Sequence, residues 1–206
     1  MDAIDLKALI KDEGEIIMPL DTIQTILTRY SCRGFTDRIP PDEDLQTIAK
    51  AAAAAPSGMN RQLWRVIVVK DRELIREMEA EAIHNIAQLP DQSVIERVRS
   101  WGGKLFYDAP CLIVVPVAPA FPDGAELLDC GIVTANISLA ATSLGLDNLI
   151  CGMIRFTFAG AKGPEFKKRL GFPEGYEVGM AILLGYATNP GGQPHQPDLS
   201  KISFVE

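Results

Sequence analysis

Two clusters of polar residues near the amino end carry the chemistry to be expected of this chain. The first packs Arg29, Ser31 and Arg33 into five residues of the stretch Thr28 to Phe35. Guanidinium forks, a hydroxyl and free backbone N–H groups together suit a phosphate monoester. The second begins at the turn Pro56-Ser57-Gly58 and adds Asn60 and Gln62, whose amides both donate and accept. A heterocycle with carbonyl and ring-nitrogen acceptors needs such groups along its rim. The pair points to a phosphorylated, planar heteroaromatic ligand. The plain alternative for Arg29 and Arg33 is solvated surface charge, the commonest fate of an arginine.

Other reactive side chains offer less. Cys151 lies in Cys151-Gly152-Met153 with no histidine near it in sequence. A catalytic thiol needs a base or cation beside it, so a buried structural thiol is the expectation. His84 sits in a charged helical stretch and reads as a surface residue. Four cysteines without a Cys-x-x-Cys spacing and two distant histidines suggest free thiols in a reducing cytosol and no metal centre.

These clusters must be positioned by a series of helices and strands. Leu20, Ile23, Ile26 and Leu27 recur at helical spacing with Asp21 as an N-cap, and that helix runs into Arg29. A second helix is expected over 42–55, after Pro40-Pro41, with Leu45, Ile48 and Ala49 inward. Val66 to Val69 is a β-branched strand. Charged amphipathic helices follow over 71–88 and 92–104, where substrate-shaping elements are expected.

Cys111 to Val117 is a short, continuous apolar run, hence a buried strand, with Pro116 near an edge or at a bulge. Residues 125–144 form the longest helix, apolar on most sides and so buried. Asn136 within it needs a partner, and Gly145 ends it in a left-handed conformation. Strands are expected over 147–154 and 178–186, with a short helix over 166–170 between them.

Composition narrows the class. The chain has 206 residues and a net charge of −7, which argues against a nucleic-acid partner. No apolar run approaches the roughly 20 residues of a membrane span. The first residues are acidic, unlike a signal peptide, so a cytoplasmic protein is expected. Residues 1–19 read as an amino-terminal extension and 20–206 as one domain.

Arg-x-Ser-x-Arg-x-Phe, a helix, then Ala-x-x-Ala-Pro-Ser-x-x-Asn-x-Gln-x-Trp resembles the start of the nitroreductase family of FMN-dependent oxidoreductases. Asp129-x-Gly131 with Asn136 on the long helix, and the Leu184-Gly185-Tyr186 ending, extend the resemblance from residue 20 over nearly the whole chain. It implies an α+β fold, with a central, mostly antiparallel sheet flanked by helices, in an intertwined homodimer. It also implies bound FMN that takes hydride from NADH or NADPH and reduces a nitroaromatic, quinone or similar electron-poor acceptor by ping-pong kinetics. No Gly-x-Gly-x-x-Gly follows a strand, which suits one shared pocket for donor and acceptor.

By the same resemblance Arg29, Tyr30, Ser31 and Arg33 serve the phosphate and ribityl end, with Arg33 able to extend toward N1 and O2 of the ring. Asn60 and Gln62 hold the ring edge, Pro56 and Ser57 come across the dimer interface, and Cys151 and Gly152 line the face near N5. His195 stands where the family has a C-terminal basic residue. Tyr30 replaces the second basic residue of the first motif, and Leu63 replaces a proline. Loss of one phosphate cation weakens binding by about 1–3 kcal/mol. Such losses keep open a second reading, a flavin-binding carrier or sensor with little turnover. A cysteine-dependent transferase using Cys151 is a third.

Overall fold

The computed structural model describes residues 21–121 and 124–205. The expected extension over 1–19 lies outside the described residues, as does Leu20. The chain folds as helices α1 (Thr22–Thr28) and α2 (Asp42–Ala53), strand β1 (Ile67–Val69), helices α3 (Arg72–Ala87) and α4 (Ser93–Ser100), and strand β2 (Cys111–Val117). Helix α5 (Glu126–Ser143), strand β3 (Asp147–Cys151), helix α6 (Gly163–Arg169) and strand β4 (Glu177–Gly185) complete it. The strands make one antiparallel sheet in the order β1-β2-β4-β3.

Helix starts follow the acids. Asp21 accepts from the Gln24 N–H at 2.8 Å, and Asp71 accepts from the Glu73 and Leu74 N–H groups at 3.0 Å. Helix α2 has no side-chain cap but carries Asp42, Glu43 and Asp44 in its first turn, at the positive end of its dipole.

Both faces of the sheet are covered. Leu112, Val114, Ala181 and Leu183 pack with Leu74, Ile75 and Met78 of α3 and with Ile95 and Val98 of α4. Cys111, Ile113, Val115, Ile182 and Leu184 pack with Leu45, Ile48 and Ala52 of α2 and with Val133, Ile137 and Ala141 of α5. An antiparallel strand walled on both sides reads as a continuous apolar run, which is why all of β2 is buried.

Of the two positions expected for Pro116, it takes the bulge: β2 pairs on both sides, and the register shifts between Val115 and Pro116. Three details depart from expectation. Strand β3 stops at Cys151, and residues Gly152–Phe158 turn into 3-10 geometry. The expected inward face of α1 is exposed: Ile23, Ile26 and Leu27 stand open while Thr25 is buried. Helix α5 is buried along one face only, with Leu127, Leu128 and Ile132 exposed on the other. Asn136 does find its partner, donating to the Ala51 carbonyl at 3.0 Å and tying α5 to α2.

Candidate functional site

The first cluster sits at the sheet end where Cys111, Gly185 and Asp147 meet. After α1 the chain crosses the start of β3, where the Cys32 N–H donates to the Asn148 carbonyl at 3.0 Å. Phe35 pairs with Ala187 just past β4, and the Thr188 N–H donates to the Gly34 carbonyl at 3.0 Å. A Cβ on Gly34 would lie 2.8 Å from the Thr188 hydroxyl oxygen, so these two segments approach closely only with glycine there.

Between them lies a cleft of about 310 Å³. Tyr30 to Gly34 form one wall, and Ala187 to Asn189 with Gly192 and Gln193 form the other. Ser31 and Arg33 thus face the C-terminal segment. Arg29 lies just outside the cleft lining, with a long contact of 3.4 Å from its guanidinium to the Tyr30 carbonyl. His195 is exposed and does not line the cleft; Gln193 does.

Three residues around this cleft carry no obvious motif. The Asp147 carboxylate accepts from the Tyr30 hydroxyl at 2.5 Å and from the Ala187 N–H at 2.7 Å. Tyr107 receives the Phe35 N–H on its carbonyl at 3.1 Å. Burial lifts its phenol above the ordinary range, and Arg33 beside it pulls the other way. Glu79 holds that loop, accepting the Leu105 and Phe106 N–H groups at 2.6 Å each. The sequence signals here are faint. Asp147 opens an apolar strand, where an unpaired acid would be costly, and that is the one hint available.

The second cluster occupies the opposite end of the sheet. Trp64 bridges to Val117, the Arg65 N–H donates to the Pro116 carbonyl at 2.9 Å, and the Ala118 N–H donates to the Leu63 carbonyl at 2.8 Å. Met59, Asn60 and Gln62 have φ of 52°, 53° and 49°, a left-handed conformation that non-glycine residues adopt reluctantly. The loop is held by its own polar groups. The Gln62 N–H donates to the Ser57 hydroxyl at 3.0 Å, and the Gln62 amide donates to Asn60 Oδ1 at 2.8 Å. The Gly58 N–H donates to both Asp129 oxygens at 3.3 Å, which anchors the loop to α5. Pro56, Asn60 and Gln62 are exposed and Ser57 half-buried.

The two clusters do not meet within one chain. Each is tied to an opposite end of β2, whose seven residues at about 3.3 Å each separate the ends by roughly 20 Å.

Cys151 and Gly152 lie at the end of β3 remote from Asp147. The Cys151 thiol is buried and pushed up to about 11, chiefly by that burial. A Cβ on Gly152 would meet Arg155 and Met180 at 3.8 Å, an ordinary contact, so packing within the chain does not demand glycine there.

Comparison with known proteins agrees with this architecture. The pattern defining the nitroreductase family matches residues 26–186. A solved nitroreductase with bound FMN from Desulfitobacterium hafniense is 54% identical, with a TM-score of 0.87, over 92% of this chain and 100% of that one. A nitroreductase with bound FMN from Bacteroides fragilis is 28% identical, with a TM-score of 0.82, over 91% of this chain and 100% of that one. The NADPH-flavin oxidoreductase of Vibrio harveyi is 31% identical over 183 residues, covering 86% of this chain and 70% of that protein. On the sheet, the helices on its two faces and these matches, the chain belongs to the nitroreductase family.

Proposed function

We propose that the protein is an FMN-dependent NAD(P)H oxidoreductase that works as a homodimer. The observation that carries this is the cleft where Ser31 and Arg33 face the 187–193 segment. Its donor set fits the phosphate end of FMN: a guanidinium, a hydroxyl and backbone N–H groups beside a close-packed glycine. Four residue steps of β3, about 13 Å, lead from Asp147 to Cys151 and Gly152. One chain therefore offers a tail site and, farther along the same strand, a surface for the ring.

FMN, when bound, supplies the hydride chemistry between NADH or NADPH and an electron-poor acceptor such as a nitroaromatic or quinone. The chain's own residues bind and orient. Ser31 and Arg33 hold the tail, with Arg29 at the rim and Tyr30 behind it. Asn60 and Gln62 bind the ring edge, and Pro56 and Ser57 stand beside them, all four from the partner subunit, because within one chain they lie roughly 20 Å away. Gly152 leaves room for the ring to lie against backbone. Donor and acceptor use the same face in turn, which makes the kinetics ping-pong. His195 acts at most from the rim. Among the described residues no helix is long and apolar enough to cross a membrane, and we assign the protein to the cytoplasm as one FMN-binding domain over 20–206, preceded by a short extension.

The test is stopped-flow mixing of the FMN-loaded protein with NADH and with NADPH, followed by menadione or a nitroaromatic. Bleaching of the flavin absorbance by a nicotinamide and its return with acceptor are expected. Flavin that stays oxidised with both donors favours the carrier or sensor reading instead.

A further inference from the structure

The Tyr30 hydroxyl and the Ala187 N–H both direct their protons onto Asp147, at 2.5 Å and 2.7 Å. Asp147 opens β3, Tyr30 follows α1, and Ala187 follows β4, so one carboxylate joins three separate segments. The Gly192 N–H faces the phenol oxygen from the far wall of the cleft. Gly192 itself lies flat on the Tyr30 ring: a Cβ there would sit 2.0 Å from Cε2 and 2.3 Å from Cδ2. The phenol titrates well above its ordinary value, first from burial and then from the bond to Asp147, so it stays a proton donor at any working pH.

A carboxylate beside a phosphate cleft is a liability, because like charges repel in a partly buried site. Tyr30 stands between the Asp147 charge and the cleft that Ser31 and Arg33 line. This deepens, and rests on, the assignment of that cleft to the FMN phosphate.

We propose that Tyr30 is a positioning residue. Its hydroxyl, through the Asp147 carboxylate and the Ala187 N–H, latches the 187–193 segment against the first cluster and screens the phosphate from the Asp147 charge. The ring contact with Gly192 sets the closed position of the segment. Tyr30 does not replace a basic ligand at this position; it acts through Asp147.

Dissociation constants of FMN and of riboflavin, which lacks the phosphate, test this by flavin fluorescence quenching in wild type, Tyr30→Phe and Tyr30→Phe/Asp147→Asn. Tyr30→Phe is expected to weaken FMN about tenfold, the worth of a hydrogen bond to a charged group, and riboflavin less than about threefold. Adding Asp147→Asn removes the bared charge and restores most of the FMN affinity. Equal losses for both flavins, no loss, or no rescue overturns the proposal. Hydrogen exchange at the Ala187 N–H supplies a readout without flavin. A rise of about tenfold in Tyr30→Phe supports the latch, and an unchanged rate overturns it. Should wild type bind no FMN, the functional assignment fails, and this exchange rate alone decides whether the latch exists.

Discussion

At the scale of single residues, the thiols are the best-defined chemistry in the chain. Cys111, Cys130 and Cys151 are buried, and burial pushes them to about 12, 11 and 11 from an ordinary 9.0. Such thiols are not thiolates near neutrality, which removes the chemical basis for a Cys151-dependent transferase. The sign for stability follows. Each folded-state value is raised, so above pH 9 the unfolded chain loses protons that the folded chain keeps. Stability is full below that point and falls as pH rises toward 11. We expect the unfolding free energy from urea denaturation to drop between pH 8 and pH 10, by up to ~1.4 kcal/mol per thiol per pH unit above 9. Cys111→Ala, which removes one of the three, is expected to show a shallower fall in the same titration.

At the scale of elements, α5 and β3 are joined by a small buried network. The Ser138 hydroxyl donates to Asn148 Oδ1 at 2.6 Å, and the Asn148 amide donates to the Ser138 carbonyl at 3.2 Å and to the Thr142 hydroxyl at 3.0 Å. Cys32 hangs from the carbonyl of the same Asn148, so this network also sets the height of the first cluster above the sheet. Asn148→Ala leaves the buried Ser138 hydroxyl without its acceptor, while the half-buried Thr142 hydroxyl keeps its bond to the Ser138 carbonyl. It is expected to cost about 1–3 kcal/mol of unfolding free energy, measured by urea denaturation. The loop at the other sheet end depends on α5 too, through Asp129. Helix α5 therefore carries both halves of the candidate site: one through Asn148, the other through Gly58.

At the scale of the whole molecule, the apolar surface is larger than one chain can use. Ile23, Ile26 and Leu27 of α1 stand open, as do Leu127, Leu128 and Ile132 of α5, and α1 packs on α5. Leu199, Ile202, Phe204 and Val205 of the tail are exposed as well. Exposed apolar patches of this kind mark interaction sites. With the two clusters at opposite ends of one sheet, the proposed assignment needs a second copy as the partner that completes the flavin site. Leu128→Asp, on a residue 74% exposed in the single chain, is expected to leave the fold intact. Sedimentation velocity is expected to show a shift toward single subunits at micromolar concentration, with FMN lost in parallel. A variant that stays dimeric with its flavin bound would move the interface elsewhere.

What the residues carry alone is local: burial on both faces imprints an apolar run on β2, acids and prolines mark where α2 and α3 begin, and Arg-x-Ser-x-Arg with Asn-x-Gln is the basis of the proposed ligand chemistry. Placement along the sheet and the facing of surfaces are not local, and only the tertiary structure decided them. Periodicity says that α1 and α5 have apolar faces but not that those faces stay open in the single chain. Spacing of about thirty residues says nothing of whether Ser31 and Asn60 meet, since the intervening helix and turn carry one to each end of the sheet. Nor does any pattern mark Tyr30 as the partner of Asp147, because a bond across 117 positions exists only once β3 and the end of α1 lie side by side.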